Sequence, residues 1–137
     1  MTRTIKALLA TALVGAGIFA LPTAALATSS AGNHQYSVGG GVVVTVLSWQ
    51  TKSTFEIDVT CHVMDSCEVG SGSVIREGSA YSLTVCDDRA DGIGPYIDRD
   101  GGSYGTDGNG TCSTVVAIPE HWRVRWDGLV TPWFTMP

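Results

Sequence analysis

Three features of the sequence predict an all-β fold, a small disulfide-stapled β-sandwich or Greek-key barrel preceded by a cleaved signal peptide. Short runs rich in β-branched residues alternate apolar and polar positions. Glycine-containing turn signals separate them at near-regular spacing. Four cysteines, an even count, are available to staple the result. No segment carries a 3.6-residue apolar period over ten or more residues, which leaves strands as the building unit.

The N-terminus reads as an export signal. Arg3 and Lys6 precede an apolar stretch, ALLATALVGAGIFALPTAALA, broken at Leu21-Pro22 and ending in the small-x-small exit Ala25-Leu26-Ala27. Its core, residues 7–21, is about fifteen apolar or small residues, short of the roughly 20 that span a bilayer. Residues 1–27 are therefore expected to be removed, leaving 28–137 as a single secreted β-domain of about 110 residues. No later apolar run is long enough to span a membrane.

Along that domain, residues 28–37 (TSSAGNHQYS) read as a loose polar leader. Three glycines introduce Val42 to Leu47, a β-branched strand, and Gln50 to Ser53 form a hairpin connection. Phe55, Ile57, Val59, Cys61 and Val63 then alternate with Glu56, Asp58, Thr60 and His62, the mark of one buried and one wet face. Turns are expected around Gly70, Gly72 and Gly78, with a short strand from Ser73 to Arg76 between them. YSLTVC (81–86) alternates again, and a short strand over Gly94 to Asp98 follows inside a glycine-rich acidic stretch. STVVAI and HWRVRW are the last clear strands; a final edge strand is confined by Pro132 to the region Leu129 to Phe134.

Outside the reducing cytosol, Cys61, Cys67, Cys86 and Cys112 favour disulfides over a metal site, because no C-x-x-C or matching histidine offset is present. Three connectivities exist, and the spacing favours Cys61 with Cys67 and Cys86 with Cys112. On chain-entropy grounds, the longer loop would contribute roughly 3 to 4 kcal/mol.

Loss of Arg3 and Lys6 with the signal leaves six cations against thirteen acids, about −7, a surface that repels phosphate backbones and anionic lipid. No nucleic-acid partner is expected.

The acids and glycines concentrate in CDDRADGIGPYIDRDGGSYGTDGNG, residues 86–110. Calcium is the cation such oxygens suit, and Asp98, Asp100, Asp107 and Asn109 are the candidate ligands. Their spacing departs from the twelve-residue calcium loop: Gly102 and Cys112 stand where a ligand and the sharp-turn glycine belong. Asp-Gly and Asn-Gly pairs also make β-turns, the stronger expectation here. No resident cofactor is expected apart from that calcium reading.

Catalysis has little support. His62 lies close to Asp65 and Ser66, but a triad is assembled from separate segments, and His62 falls on the wet face. The chain is read as a non-enzyme.

The aromatic residues near the end carry more. On a strand over 121–126, Trp122, Val124 and Trp126 share one face, and Arg123 and Arg125 share the other. Trp122, Arg123, Arg125, Trp126 and Trp133 are the candidate binding residues, since Trp and Arg dominate interface hot spots. Burial in the core is the competing role for Trp122 and Trp126.

The segment carrying Cys86, Asp87, Ala90, Asp91, Gly92, Tyr96, Asp107, Asn109, Gly110, Cys112, Arg123 and Arg125 resembles a group of small exported actinobacterial proteins. These share a CDxxADG…DxNGxxC…RxR pattern, often with a further Cys where this chain has Trp126. The resemblance implies an exported actinobacterial protein and implies no activity. A secreted, non-enzymatic binding module for an extracellular protein or glycan, a hydrolase inhibitor being one form, is the leading expectation. The alternative is a structural or calcium-stabilised protein of the cell envelope.

Overall fold

The computed structural model describes residues 32–62, 65–106 and 109–137. The signal-peptide reading of residues 1–27 lies outside them. Among the described residues eleven strands are formed: β1 (Gly32–Gly39), β2 (Val42–Ser48), β3 (Lys52–His62), β4 (Asp65–Glu77), β5 (Ala80–Asp87), β6 (Tyr96–Arg99), β7 (Gly102–Gly105), β8 (Cys112–Ala117), β9 (His121–Trp126), β10 (Leu129–Val130) and β11 (Phe134–Thr135).

The strands build two antiparallel sheets. The larger runs β1-β2-β3-β4-β5-β8, and the smaller runs β10-β9-β6-β7 with β11 also on β9. Strands β1 to β5 are a simple meander. The chain then leaves for the β6–β7 hairpin, returns to lay β8 beside β5, and leaves again to lay β9 beside β6. The predicted all-β, disulfide-stapled architecture is what forms, as a two-sheet sandwich.

Alternation of side chains decides the core. Strand β2 buries Val42, Val44 and Val46 while Val43, Thr45 and Leu47 lie partly exposed. Phe55, Ile57, Val74, Leu83 and Val85 extend that buried face across the larger sheet. From the smaller sheet come Ile97, Trp122, Val124 and Phe134. Trp122 lies at the centre, its ring 4.9 Å from Phe134 and 6.2 Å from Phe55.

Both disulfides join the partners that spacing favoured, Cys61–Cys67 and Cys86–Cys112. The first clips the ends of the β3–β4 hairpin. The second ties β5 to β8 at residues facing each other across the ladder, closing the base of the acidic stretch. Disulfides of this kind belong to an oxidising environment. Among the described residues no helix is long and apolar enough to cross a membrane.

Four elements differ from the sequence reading. Residues 32–39 are not a loose leader but an edge strand. Its ladder on β2 is closed by Gly40 and Gly41 at φ 62° and 75°, the two left-handed positions of a primed hairpin turn. Residues around Gly70 and Gly72 are not turns but the middle of β4. A Cβ at Gly72 would lie 2.5 Å from the Phe55 ring and 2.3 Å from the Thr84 carbonyl oxygen, so glycine is there for close packing. Strand β7 falls inside the acidic stretch, where its glycines disguised it. The final strand also divides into β10 and β11 around Pro132.

The wet face of the larger sheet gathers like charges. Burial, then the charges of Asp88, Glu56 and Asp58, hold the Glu68 carboxyl above its ordinary range. A raised carboxyl pKa means the folded state prefers the protonated form, so this strain is absent in acid and develops as pH rises through the carboxylate range. Glu68→Gln should therefore raise the melting temperature at pH 7, within the roughly 0.5 kcal/mol usual for surface changes. Thermal melts should show the gain vanishing in acid and shrinking in salt.

Candidate binding face

The outward face of the smaller sheet carries a ladder of charged and aromatic side chains. Alternation sends Ile97, Trp122 and Val124 inward, each at most 1% exposed. Tyr96, Asp98, Arg123 and Arg125 must then point outward. Register places Asp98 opposite Arg123 and Tyr96 opposite Arg125, with Ser103 on the other flank of Asp98.

Asp98 is the hub. It is buried, and it accepts hydrogen bonds from Ser103 Oγ at 2.7 Å, Arg123 Nε at 3.1 Å and Arg125 Nε at 3.0 Å. Burial opposes its ionisation, but the bonds from Ser103, Arg125 and Arg123 outweigh that and hold its carboxyl below the usual range. The carboxylate is thus fixed in its charged form, and it fixes two guanidinium groups in return.

Each arginine is also held over a ring. The guanidinium carbon of Arg123 lies 4.6 Å from the centre of the Trp133 ring, and that of Arg125 lies 4.4 Å from the Tyr96 ring. Gly105, opposite Tyr96, leaves the room this ring occupies: a Cβ there would lie 2.3 Å from Tyr96 Cδ1. The order across the face is Trp133, Arg123, Asp98, Arg125, Tyr96. Each arginine spends Nε on Asp98. Its planar fork carries four further N–H donors on the terminal nitrogens. The two arginine side chains remain 28% and 32% exposed, enough for those edges to meet a partner. Two cations against one anion make this a positive island in a chain of net charge −5.

Trp133 and the two arginines come together as candidate binding residues. Trp122 does not. It is fully buried, because its strand neighbours are set by the core, and it offers no surface to a partner. Trp126 is half-buried, packed against the core beside Leu129, with no described contact to the ladder.

The candidate calcium ligands are not brought into one site. Asp98 is taken by the two arginines. Asp100 Oδ2 accepts the backbone N–H groups of Glu120 and His121 at 2.7 Å each, and Oδ1 lies 3.4 Å from His121 Nδ1. Burial resists its ionisation, but those bonds and the His121 charge hold its carboxyl below the ordinary range. It is a staple from the β6–β7 turn to the start of β9. Asn109 is exposed, and Asp107 lies outside the described residues. Among the described residues no group of three or more His, Cys, Asp or Glu is placed to hold a metal ion.

The rest of the acidic stretch is turn architecture. Asp87 is buried, accepting the N–H groups of Gly110 at 2.6 Å and Arg89 at 3.1 Å. Asp91 caps the turn by accepting from Ile93 N at 3.0 Å. Gly92, Gly101 and Gly110 take positive φ after Asp91, Asp100 and Asn109, as the turn reading expects.

His62's side chain lies outside the described residues, so the His62, Asp65 and Ser66 grouping is not placed. Tyr96 and Ser103 are the members of this face that sequence reasoning missed. The signal was the spacing Tyr96-x-Asp98, the same period of two as Arg123-x-Arg125, which acquires meaning only once β6 and β9 are known to pair.

No protein-family model, curated protein or solved structure matches this chain.

Proposed function

We propose that the chain is a secreted, non-enzymatic binding module that captures an extracellular protein or glycan on the outward face of the smaller sheet. The observation that carries the reading is the Arg123–Asp98–Arg125 cluster stacked between Trp133 and Tyr96. A lone surface arginine loses much rotamer entropy on docking. Here Asp98 and the two rings have already removed that freedom, so less is lost when a partner arrives. Arg and Trp are the side chains in which binding energy concentrates. An extracellular hydrolase is one protein target this geometry would serve.

The experiment is capture by the immobilised, oxidised chain from its own culture supernatant and cell wall. Arg123→Ala and Trp133→Ala should each weaken capture by about 30-fold or more, the effect of losing a hot spot of 2 kcal/mol. Wild-type capture that persists undiminished in both variants would overturn the reading.

A further inference from the structure

We propose that β8 is the dimerisation edge of this protein, pairing antiparallel with β8 of a second copy about a two-fold axis through Val116. This stands on different residues from the binding face and is independent of it.

The argument begins with how the sheet edges are protected. Folded proteins blunt exposed strand edges with bulges, glycines, charges, prolines or shortness, because an open edge templates further pairing. Among the described strands, β1 carries a register irregularity between Ser37 and Gly39 and exposed polar residues. β7 is four residues long with two glycines, and β10 and β11 have two residues each. β8 has none of these devices. From Cys112 to Ala117 its register on β5 is unbroken, and no charge, glycine or proline occurs before Pro119. Val116 is 62% and Ile118 77% exposed on this edge.

The backbone directions then fix which residues can pair. Asp87 N donates to Thr111 O at 3.0 Å, so the polar groups of Thr111 turn toward β5. In a strand these directions alternate from residue to residue, so Ser113, Val115 and Ala117 also turn toward β5. Thr114, Val116 and Ile118 turn their N–H and C=O groups to the open side. They are the same residues whose side chains lie on the solvent face of the sheet.

A second copy satisfies all of this at once. With the axis at Val116, Val116 faces itself and Thr114 faces Ile118 in both directions. These are the hydrogen-bonded positions of an antiparallel ladder, about two bonds for each facing pair. The side chains meet as one apolar strip of valine, isoleucine and threonine methyl groups. Pro119, which has no N–H, falls just past the last pair. Charge sets a cost on self-association, since two chains of net charge −5 repel over most of their surfaces, and this edge keeps that cost low by confining the contact to uncharged residues. The contact is isologous and closes on itself, so it ends at a dimer with a continuous twelve-stranded sheet rather than growing into a fibre.

Sedimentation equilibrium of the purified, oxidised chain tests it, at roughly 100 μM, where a micromolar association is saturated. The wild type should sediment at twice the mass of its own denatured single chain. Val116→Pro removes an N–H that β5 does not use, a change an edge strand tolerates. Val116→Lys sets two ammonium groups opposite each other across the axis. Both variants should sediment as monomers with unchanged strand circular dichroism. A monomeric wild type overturns the proposal, including one that accepts an unrelated extended peptide at this edge. So does a dimer that survives both substitutions.

Discussion

Trp122→Ala is expected to lower the unfolding free energy by about 3 to 5 kcal/mol, the range for deleting a fully buried large aromatic side chain. Trp122 is 0% exposed and is the point where both layers meet, in contact with Phe134 of its own sheet and facing Phe55 of the other. One effect works against the loss. The indole nitrogen is buried without a hydrogen-bond acceptor, and removing it relieves a penalty of about 1 to 3 kcal/mol. Trp122→Phe separates the two terms, because it removes the unsatisfied N–H while keeping most of the apolar area. Denaturant unfolding should place Trp122→Phe well above Trp122→Ala in stability. A loss under about 1 kcal/mol for the alanine variant would contradict the central position assigned to this residue. Against a net stability of typically 5 to 15 kcal/mol, the predicted loss is large enough to leave the domain marginal.

Asp98→Ala is the second large effect, expected at about 3 kcal/mol. Breaking a buried ion pair usually costs about 3 to 5 kcal/mol, because the surviving charge is left uncompensated. The lower end applies because each arginine is about a third exposed and regains some hydration. The loss should also be pH-dependent, with a sign fixed by the direction of the shift. Asp98 has a folded-state pKa below its ordinary value of 3.8. Its contribution is therefore fully present above that ordinary value and disappears as pH falls through the lower, folded one. Urea titrations of wild type and Asp98→Asn should differ most at neutral pH and converge in strong acid. A difference that stayed constant down to strong acid would show that the bonds to Arg123 and Arg125 are not what holds this carboxylate.

Much of the sandwich was legible because its strands alternate cleanly. Phe55 to Cys61, Tyr81 to Cys86 and His121 to Trp126 each show period two, Val42 to Leu47 is dominated by β-branched residues, and each forms a strand. The disulfide partners are the ones that spacing favoured among three connectivities. What escaped was determined by contacts distant in sequence. Gly72 reads locally as a turn residue, yet it is glycine because Phe55 and Thr84 crowd its Cβ. Residues 32–39 look like a solvated leader, and a ladder to β2 makes them a strand. The candidate binding face shows the same division. That Arg123 and Arg125 share a face opposite Trp122 is a local statement and could be read. That Asp98 serves those arginines depends on β6 lying beside β9, and no local pattern carries that pairing. Counting acids placed Asp98 with Asp100 in a cation site; the cross-strand register gives each carboxylate a different partner.

The double variant Arg123→Lys/Arg125→Lys tests the central claim most directly. Charge is kept, while the planar fork on Asp98 and the stacking on Trp133 and Tyr96 are lost. Capture from culture supernatant and cell wall, measured beside a thermal melt, should fall at least about 30-fold while the domain stays folded. Capture at the wild-type level by this folded variant would contradict a binding face built on preorganised arginines.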